Sequence, residues 1–166
     1  LLKWLDQKGE SAIANAQTRN MLRGEALAIR AYVHFDLLRG WGPMGYAQDP
    51  EARSMKCIPY RILADNSKQP LLPAEEVVEK IITDLEDAKE YMSFESSISL
   101  SDHENKDRRF RFNYHAINAL LARVYAYAGD AENALACAKS VIDNCGLTLK
   151  NDNQNDPVLF SETICG

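Results

Sequence analysis

Apolar residues recur at spacings of three and four along most of this chain, which is the period of an α-helix. Leu22, Ala26, Ile29, Val33 and Leu37 form one such row, and Leu27, Ala31, Tyr32, Phe35 and Leu38 form a second flank beside it. So wide an apolar surface predicts a helix sandwiched between neighbours, starting between Ala14 and Thr18 and running to about Arg39. Arg23, Arg30 and His34 are its clearest polar stripe. Gly40-Trp41-Gly42-Pro43 predicts its end, because glycine relaxes the backbone and proline cannot continue a helix. Ahead of it, residues 1–8 read as the tail of a helix already under way that stops near Gly9. The expectation is a piece of a longer polypeptide.

Residues 43–72 lack a helical period and are punctuated by Pro43, Gly45, Pro50, Pro59 and Pro70. A segment of that length either packs along the outside of the helices or carries binding function. A third helix is predicted from Pro73 or Ala74, where proline suits a first helical position and Glu75 and Glu76 complement the helix dipole. Val78, Ile81, Ile82, Leu85, Ala88 and Met92 make its apolar stripe. The polar stretch from Ser93 to Arg111 reads as an exposed loop. Two more helices are predicted, over 113–128 and 131–145, joined by a Gly129-Asp130 turn. Residues 147–166 read as irregular, with a loop over 151–157. No convincing strand pattern appears. The fold class expected is all-α, as a single helical domain over 1–166.

The last two helices are the most informative about architecture. Ile117, Leu120, Leu121, Val124 and Tyr125 line one, and Ala131, Ala134, Leu135, Ala138, Val141, Ile142 and Cys145 line the other. A helix, a short turn and an alanine-rich second helix resemble a tetratricopeptide repeat. Antiparallel helices approach closely only where facing side chains are small, so alanines fit at the crossing and larger residues fill the grooves beside it. One such hairpin cannot bury its own apolar face, so neighbours are expected to stack on it.

Composition narrows the function classes. With 46% hydrophobic residues the chain can bury a core, and its net charge of −5 argues against a nucleic-acid partner, which needs a basic stripe for phosphates. No apolar run approaches the ~18 residues of a membrane-spanning helix, and no signal peptide is visible. Cys57, Cys137, Cys145 and Cys165 include no C-x-x-C pair, so no metal site is expected. Cys137 and Cys145 would lie about 12 Å apart along one helix, too far for a disulfide, and all four read as free thiols acting as small hydrophobes. The chain has no glycine-rich phosphate loop, no G-x-S-x-G and no H-E-x-x-H. His34 and His115 read as packing or capping groups, and Glu75, Glu76 and Glu79 as a solvated acidic helix start. No enzyme and no cofactor are expected.

The stretch Gly24 to Pro43 contains Gly24-Glu25-Ala26, Arg30-Ala31-Tyr32, Phe35-Asp36-Leu37 and Trp41-Gly42-Pro43. It resembles the signature helix of the SusD/RagB family. Ile58-Pro59-Tyr60, the helix from Glu75 to Tyr91 with Asp84-Leu85 and Ala88, and the Ala116–Asp143 hairpin agree in order and spacing. The resemblance covers roughly residues 10–145.

That resemblance, and not periodicity or composition, implies a function. Such proteins are nutrient-binding lipoproteins on the outer face of the outer membrane, with a SusC-like TonB-dependent transporter as partner and a glycan or oligosaccharide as ligand. The helical part is the scaffold and the transporter-contact surface. A lipid anchor, absent from these residues, is their only tie to the membrane. Sugar recognition uses aromatic ring faces, so the candidate ligand contacts are Trp41, Tyr46 and Tyr60, with Asn105 or His103 in the second loop. The competing reading for Trp41 is a core plug at a helix end. The competing reading for the whole chain is a generic tetratricopeptide-like protein–protein interaction module.

Overall fold

The computed structural model describes residues 1–101 and 103–147. Its elements are α1 (Leu2–Ala12), α2 (Ala16–Trp41), α3 (Pro50–Ser54), β1 (Lys56–Ile58), β2 (Leu72–Pro73), α4 (Ala74–Tyr91), α5 (Tyr114–Ala128) and α6 (Ala131–Asn144). Short 3-10 turns at Ser93–Glu95 and His103–Phe110 lie between α4 and α5. In space α1 packs on α2, α2 on α4, α4 on α5 and α5 on α6. The architecture is all-α and of tetratricopeptide type.

Local chemistry sets the helix limits. Asn15 caps α2 by accepting from the Thr18 N–H at 3.1 Å, Asn113 caps α5 through Ala116 at 2.8 Å, and Asp130 caps α6 through Asn133 at 3.1 Å. Gly129 ends α5 at φ 83°, a left-handed conformation that a side chain resists. Gly9 does not stop α1: it lies inside the helix, buried, with the Arg19 side chain against it.

The core runs through α2, α4 and α5. Ala28, Ala31, Val77, Ile81, Leu85, Ala88, Ile117, Leu121 and Val124 are all fully buried within it. Small residues let α2 and α4 approach. A Cβ on Gly24 would meet Met92 Cγ at 2.5 Å and the Ala88 carbonyl at 3.1 Å, so any larger residue there would push the two helices apart. Tyr125 of α5 donates to Glu86 of α4 at 3.1 Å. Burial and then Glu86 push its hydroxyl up to about 12.

Several expectations are corrected. In α2 the buried face is Gly24, Leu27, Ala28, Ala31, His34, Phe35 and Leu38, whereas Ile29, Val33 and Leu37 of the first row point to solvent. Of the polar stripe, His34 is buried, in keeping with a packing group, and Arg23 and Arg30 are half-buried. Of the row expected for the last helix, Val141 and Cys145 are buried and Leu135 and Ile142 are exposed, while Cys137, outside that row, is buried. A small antiparallel ladder pairs Lys56 with Pro73 and Ile58 with Leu72, so strand structure exists although it is two or three residues long. The segment before α5 is not simply an exposed loop. Its Arg108 forms ion pairs with Glu25 of α2 at 2.5 Å and with the buried Glu95 at 2.7 Å. Cys165 and the stretch from residue 148 onward lie outside the described residues.

Candidate ligand-contact surface

The three candidate aromatic residues occupy different environments. Trp41 is the last residue of α2, and the Gly42 N–H closes the helix on the Leu38 carbonyl at 2.7 Å. Its side chain is 72% exposed. It is therefore no plug at a helix end: the helix turns away at Gly42-Pro43 and leaves the ring in solvent.

Tyr46 is buried. Its ring stacks on Tyr127 at 5.2 Å between centroids, and the Arg53 guanidinium lies over it at 5.7 Å. Arg53 is held there by donating to the Tyr46 and Ala47 carbonyls at 3.0 and 2.7 Å. Both partners close off the ring, and burial raises the pKa of its hydroxyl.

Tyr60 is buried too, inside a network that ties the segment after β1 to α2 and α4. Its hydroxyl donates to Asp84 Oδ2 at 2.6 Å. Arg30 grips the same carboxylate with two bonds, Nε to Oδ2 and Nη2 to Oδ1, each 2.6 Å. Such a fork-to-fork pair is strong and geometrically specific. The His34 ring stacks on Tyr60 at 4.0 Å. The Arg61 N–H donates to His34 Nε2 at 2.9 Å, so Nε2 is the acceptor and Nδ1 carries the proton that bonds the Arg30 carbonyl at 2.7 Å. Burial, then the neighbouring Arg30 charge, lowers the His34 pKa despite its bond to the Arg30 carbonyl. Burial and Asp84 raise the Tyr60 hydroxyl far above its ordinary range, and the Asp84 bond raises Arg30. The network is a lock that buries the Tyr60 ring and ties these three segments together.

Sequence reasoning picked out Tyr60 but not its partners. A signal was present: Asp84 interrupts the apolar row of Ile81, Leu85 and Ala88, and a carboxylate facing a core needs a cation. The partner itself, Arg30, lies 54 residues away and no spacing rule reaches it. Of the second-loop candidates, His103 and Asn105 sit on the backbone of the 3-10 turn, and their side chains lie outside the described residues.

Polar open surface lies elsewhere. A groove of about 560 Å³ between α1 and α2 is lined by Asp6, Gln7, Glu10, Asn20, Arg23 and Tyr91. Arg23 bonds Asp6 at 2.5 Å and covers Tyr91 at 5.3 Å. Of the three aromatic candidates, Trp41, Tyr46 and Tyr60, Trp41 is the one whose ring stands open. Among the described residues no group of three His, Cys, Asp or Glu side chains is arranged to hold a metal ion, and no helix is long and apolar enough to cross a membrane.

Comparison with known proteins places these features in context. The family model SusD-like, described as "Starch-binding associating with outer membrane", matches residues 2–126. A SusD-like protein of Bacteroides ovatus is 30% identical over 161 aligned positions, which cover 84% of this chain and 26% of the relative. A SusD-like carbohydrate binding protein from Bacteroides vulgatus shares the fold at a TM-score of 0.77 and 20% identity, over 99% of this chain and 34% of that one. A SusD superfamily protein from Bacteroides thetaiotaomicron aligns at 0.74 and 25% identity, over 95% and 33% respectively. The chain therefore spans 26% of its curated relative and 34% and 33% of the two solved ones.

Proposed function

Because this chain belongs to the SusD-like family, we propose that it forms the helical part of a glycan-binding component at the cell surface of a TonB-dependent uptake system. The family is starch-binding and associates with the outer membrane. The observation that carries the reading is the family match across residues 2–126, which include α2, α4 and most of α5, the elements that build the core.

In this reading the helical stack is a scaffold and performs no chemistry. Its polar locks, Arg30–Asp84–Tyr60 and Glu25–Arg108–Glu95, hold the chain crossings rigid. A rigid scaffold lowers the ordering cost of binding. The partner is a SusC-like transporter, and a lipid anchor on the longer polypeptide holds the protein at the outer membrane.

Trp41 is the ligand contact proposed here, because an open indole ring offers an apolar face to a sugar ring. Tyr46 and Tyr60 are buried against Tyr127 and His34 and are not the stacking faces in this reading.

The test is binding of the purified protein, in its longest natural form, to a panel of immobilised neutral glycans, with Trp41→Ala beside it. Retention of at least one glycan, weakened tenfold or more by the substitution, supports both parts. Glycan retention unaffected by Trp41→Ala removes the residue assignment alone. Failure on the whole panel, with capture of a peptide in the helical groove, replaces the reading with a protein–protein interaction module.

A further inference from the structure

The polar groove between α1 and α2 lies at the closed end of their hairpin, where the short Ile13–Asn15 connection joins them. Tyr91 of α4 completes its lining. The connection is pinned. Arg19 donates to the Ile13 carbonyl at 2.6 Å and to the Ala14 carbonyl at 3.1 Å. Gly9 lies against the Arg19 side chain. The two walls are therefore covalently linked, and their spacing is fixed by contacts within the hairpin itself.

The chemistry of the lining selects a class of ligand. Arg23 donates to Asp6 at 2.5 Å, and its guanidinium covers the Tyr91 ring at 5.3 Å. The side chains of Gln7, Glu10 and Asn20 are exposed and, among the described residues, make no hydrogen bond or ion pair. With the remaining N–H groups of Arg23 they present two amides, one carboxylate and charge-assisted donors. An anionic ligand meets Asp6 and Glu10, and a cationic one meets Arg19 and Arg23. An apolar ligand finds only Leu5, which is buried, and Tyr91, which Arg23 covers. A neutral molecule dense in hydroxyls suits all of these groups, because each hydroxyl both donates and accepts. The volume of about 560 Å³ lies within the ~300–1,000 Å³ of small-molecule sites.

We propose that this groove is a second subsite for neutral sugar rings, acting with Trp41 as a two-point grip of α2 on a polymeric glycan. The proposal rests on the glycan reading above and adds a further contact and its manner of working. Asn20 and Trp41 are separated by 21 positions on one helix, which is about 31 Å at ~1.5 Å rise per residue. A trisaccharide occupies one point or the other. A polymer touches both, and once one point holds it the second binds as an intramolecular event at high effective concentration. Because α2 is a single helix packed along α4, the two points keep their separation.

The experiment measures retention of the protein, in its longest natural form, on immobilised amylose, mannan, galactan and xylan. Trp41→Ala and the double variant Gln7→Ala/Asn20→Ala are run beside it. Both side chains removed in the groove are exposed and unbonded, so its melting temperature should be unchanged, and Glu10→Lys serves as a second groove variant. The expected result is retention of at least one polymer, weakened tenfold or more by the Trp41 variant and by either groove variant. With the trisaccharide of that polymer's sugar, calorimetry should count two bound molecules for the unaltered protein and one for the groove variants. A polymer held equally well by both groove variants overturns the proposal and leaves the glycan reading standing. Retention of none of the four overturns it as well, and the glycan reading falls with it only where glycans of every other kind also fail.

Discussion

The contact between α2 and α4 and the contact between α5 and α6 are both antiparallel helix pairs, yet they are built differently. The α5–α6 pair is local. A two-residue turn joins its helices, Gly129 supplies the positive φ, and α6 buries little more than Cys137, Val141 and Cys145. The α2–α4 pair closes over a long separation. It packs Gly24 against Ala88 and Met92, buries Ala28 and Ala31 completely, and is stapled by Arg30 and Asp84. The local pair forms at small entropic cost and needs little glue, whereas the remote pair must offset a longer loop closure and carries the polar lock. The difference places the fold's mechanical centre at α2–α4 and leaves Leu135 and Ile142 of α6 exposed.

Breaking the lock is expected to have the largest effect. Asp84→Ala strands the half-buried Arg30 guanidinium and removes the acceptor of Tyr60, and should cost roughly 3–5 kcal/mol in urea melts, as for a broken buried ion pair. A cost under about 1 kcal/mol would mean that water reaches Arg30 and that the lock adds nothing.

Truncating the core at the α5 side comes next. Leu121 is fully buried, and Leu121→Ala should cost roughly 2–5 kcal/mol by lost transfer energy and an unfilled cavity. A loss below about 0.5 kcal/mol would show that this face of α5 is not packed.

A pH series sharpens the comparison further, because His34 belongs to the α2–α4 side only. Its folded pKa is lowered from 6.5, so below that value the unfolded chain binds the proton while the folded one resists it. The stability His34 contributes is complete above pH ~6.5 and is lost progressively as pH falls from there toward the folded pKa. Protonation also destroys the Nε2 acceptor that holds the Arg61 N–H. Melts at pH 7.5, 6.5 and 5.5 should show this decline, and His34→Gln should flatten its part of the slope. An identical slope in the variant would assign the decline to other groups.

The smallest effect belongs to α6. Leu135 is 55% exposed, so Leu135→Ala should change stability by less than about 0.5 kcal/mol. A loss above about 1.5 kcal/mol would show that the outer face of α6 is buried in solution and would erase the contrast between the two pairs.

Legibility in the sequence followed the same division. The limits of α4, α5 and α6 could be read nearly to the residue, because caps and turn are local features, whereas Leu135 and Ile142 of the expected α6 face are exposed. In α2 the helix was readable and its orientation was not. Apolar residues surround it on most sides, so periodicity offered two rows and no means to choose the buried one. Of the candidate ligand contacts, Trp41 stands open, while Tyr46 and Tyr60 are covered by partners far away in the chain. The two-strand ladder was too short to leave an alternation. The Arg108 ion pair joins residues 83 positions apart, which no local pattern signals.

By itself, then, the sequence determined which segments are helices, where most of them start and stop, and the family to which the chain belongs. These depend on hydrogen bonds and side chains within a few residues of each other. Only the tertiary structure decided which face of α2 is covered, which arginine meets Asp84, and which aromatic ring remains in water. Those outcomes depend on what arrives from elsewhere in the chain, and a helix with two apolar faces accepts either neighbour until packing selects one.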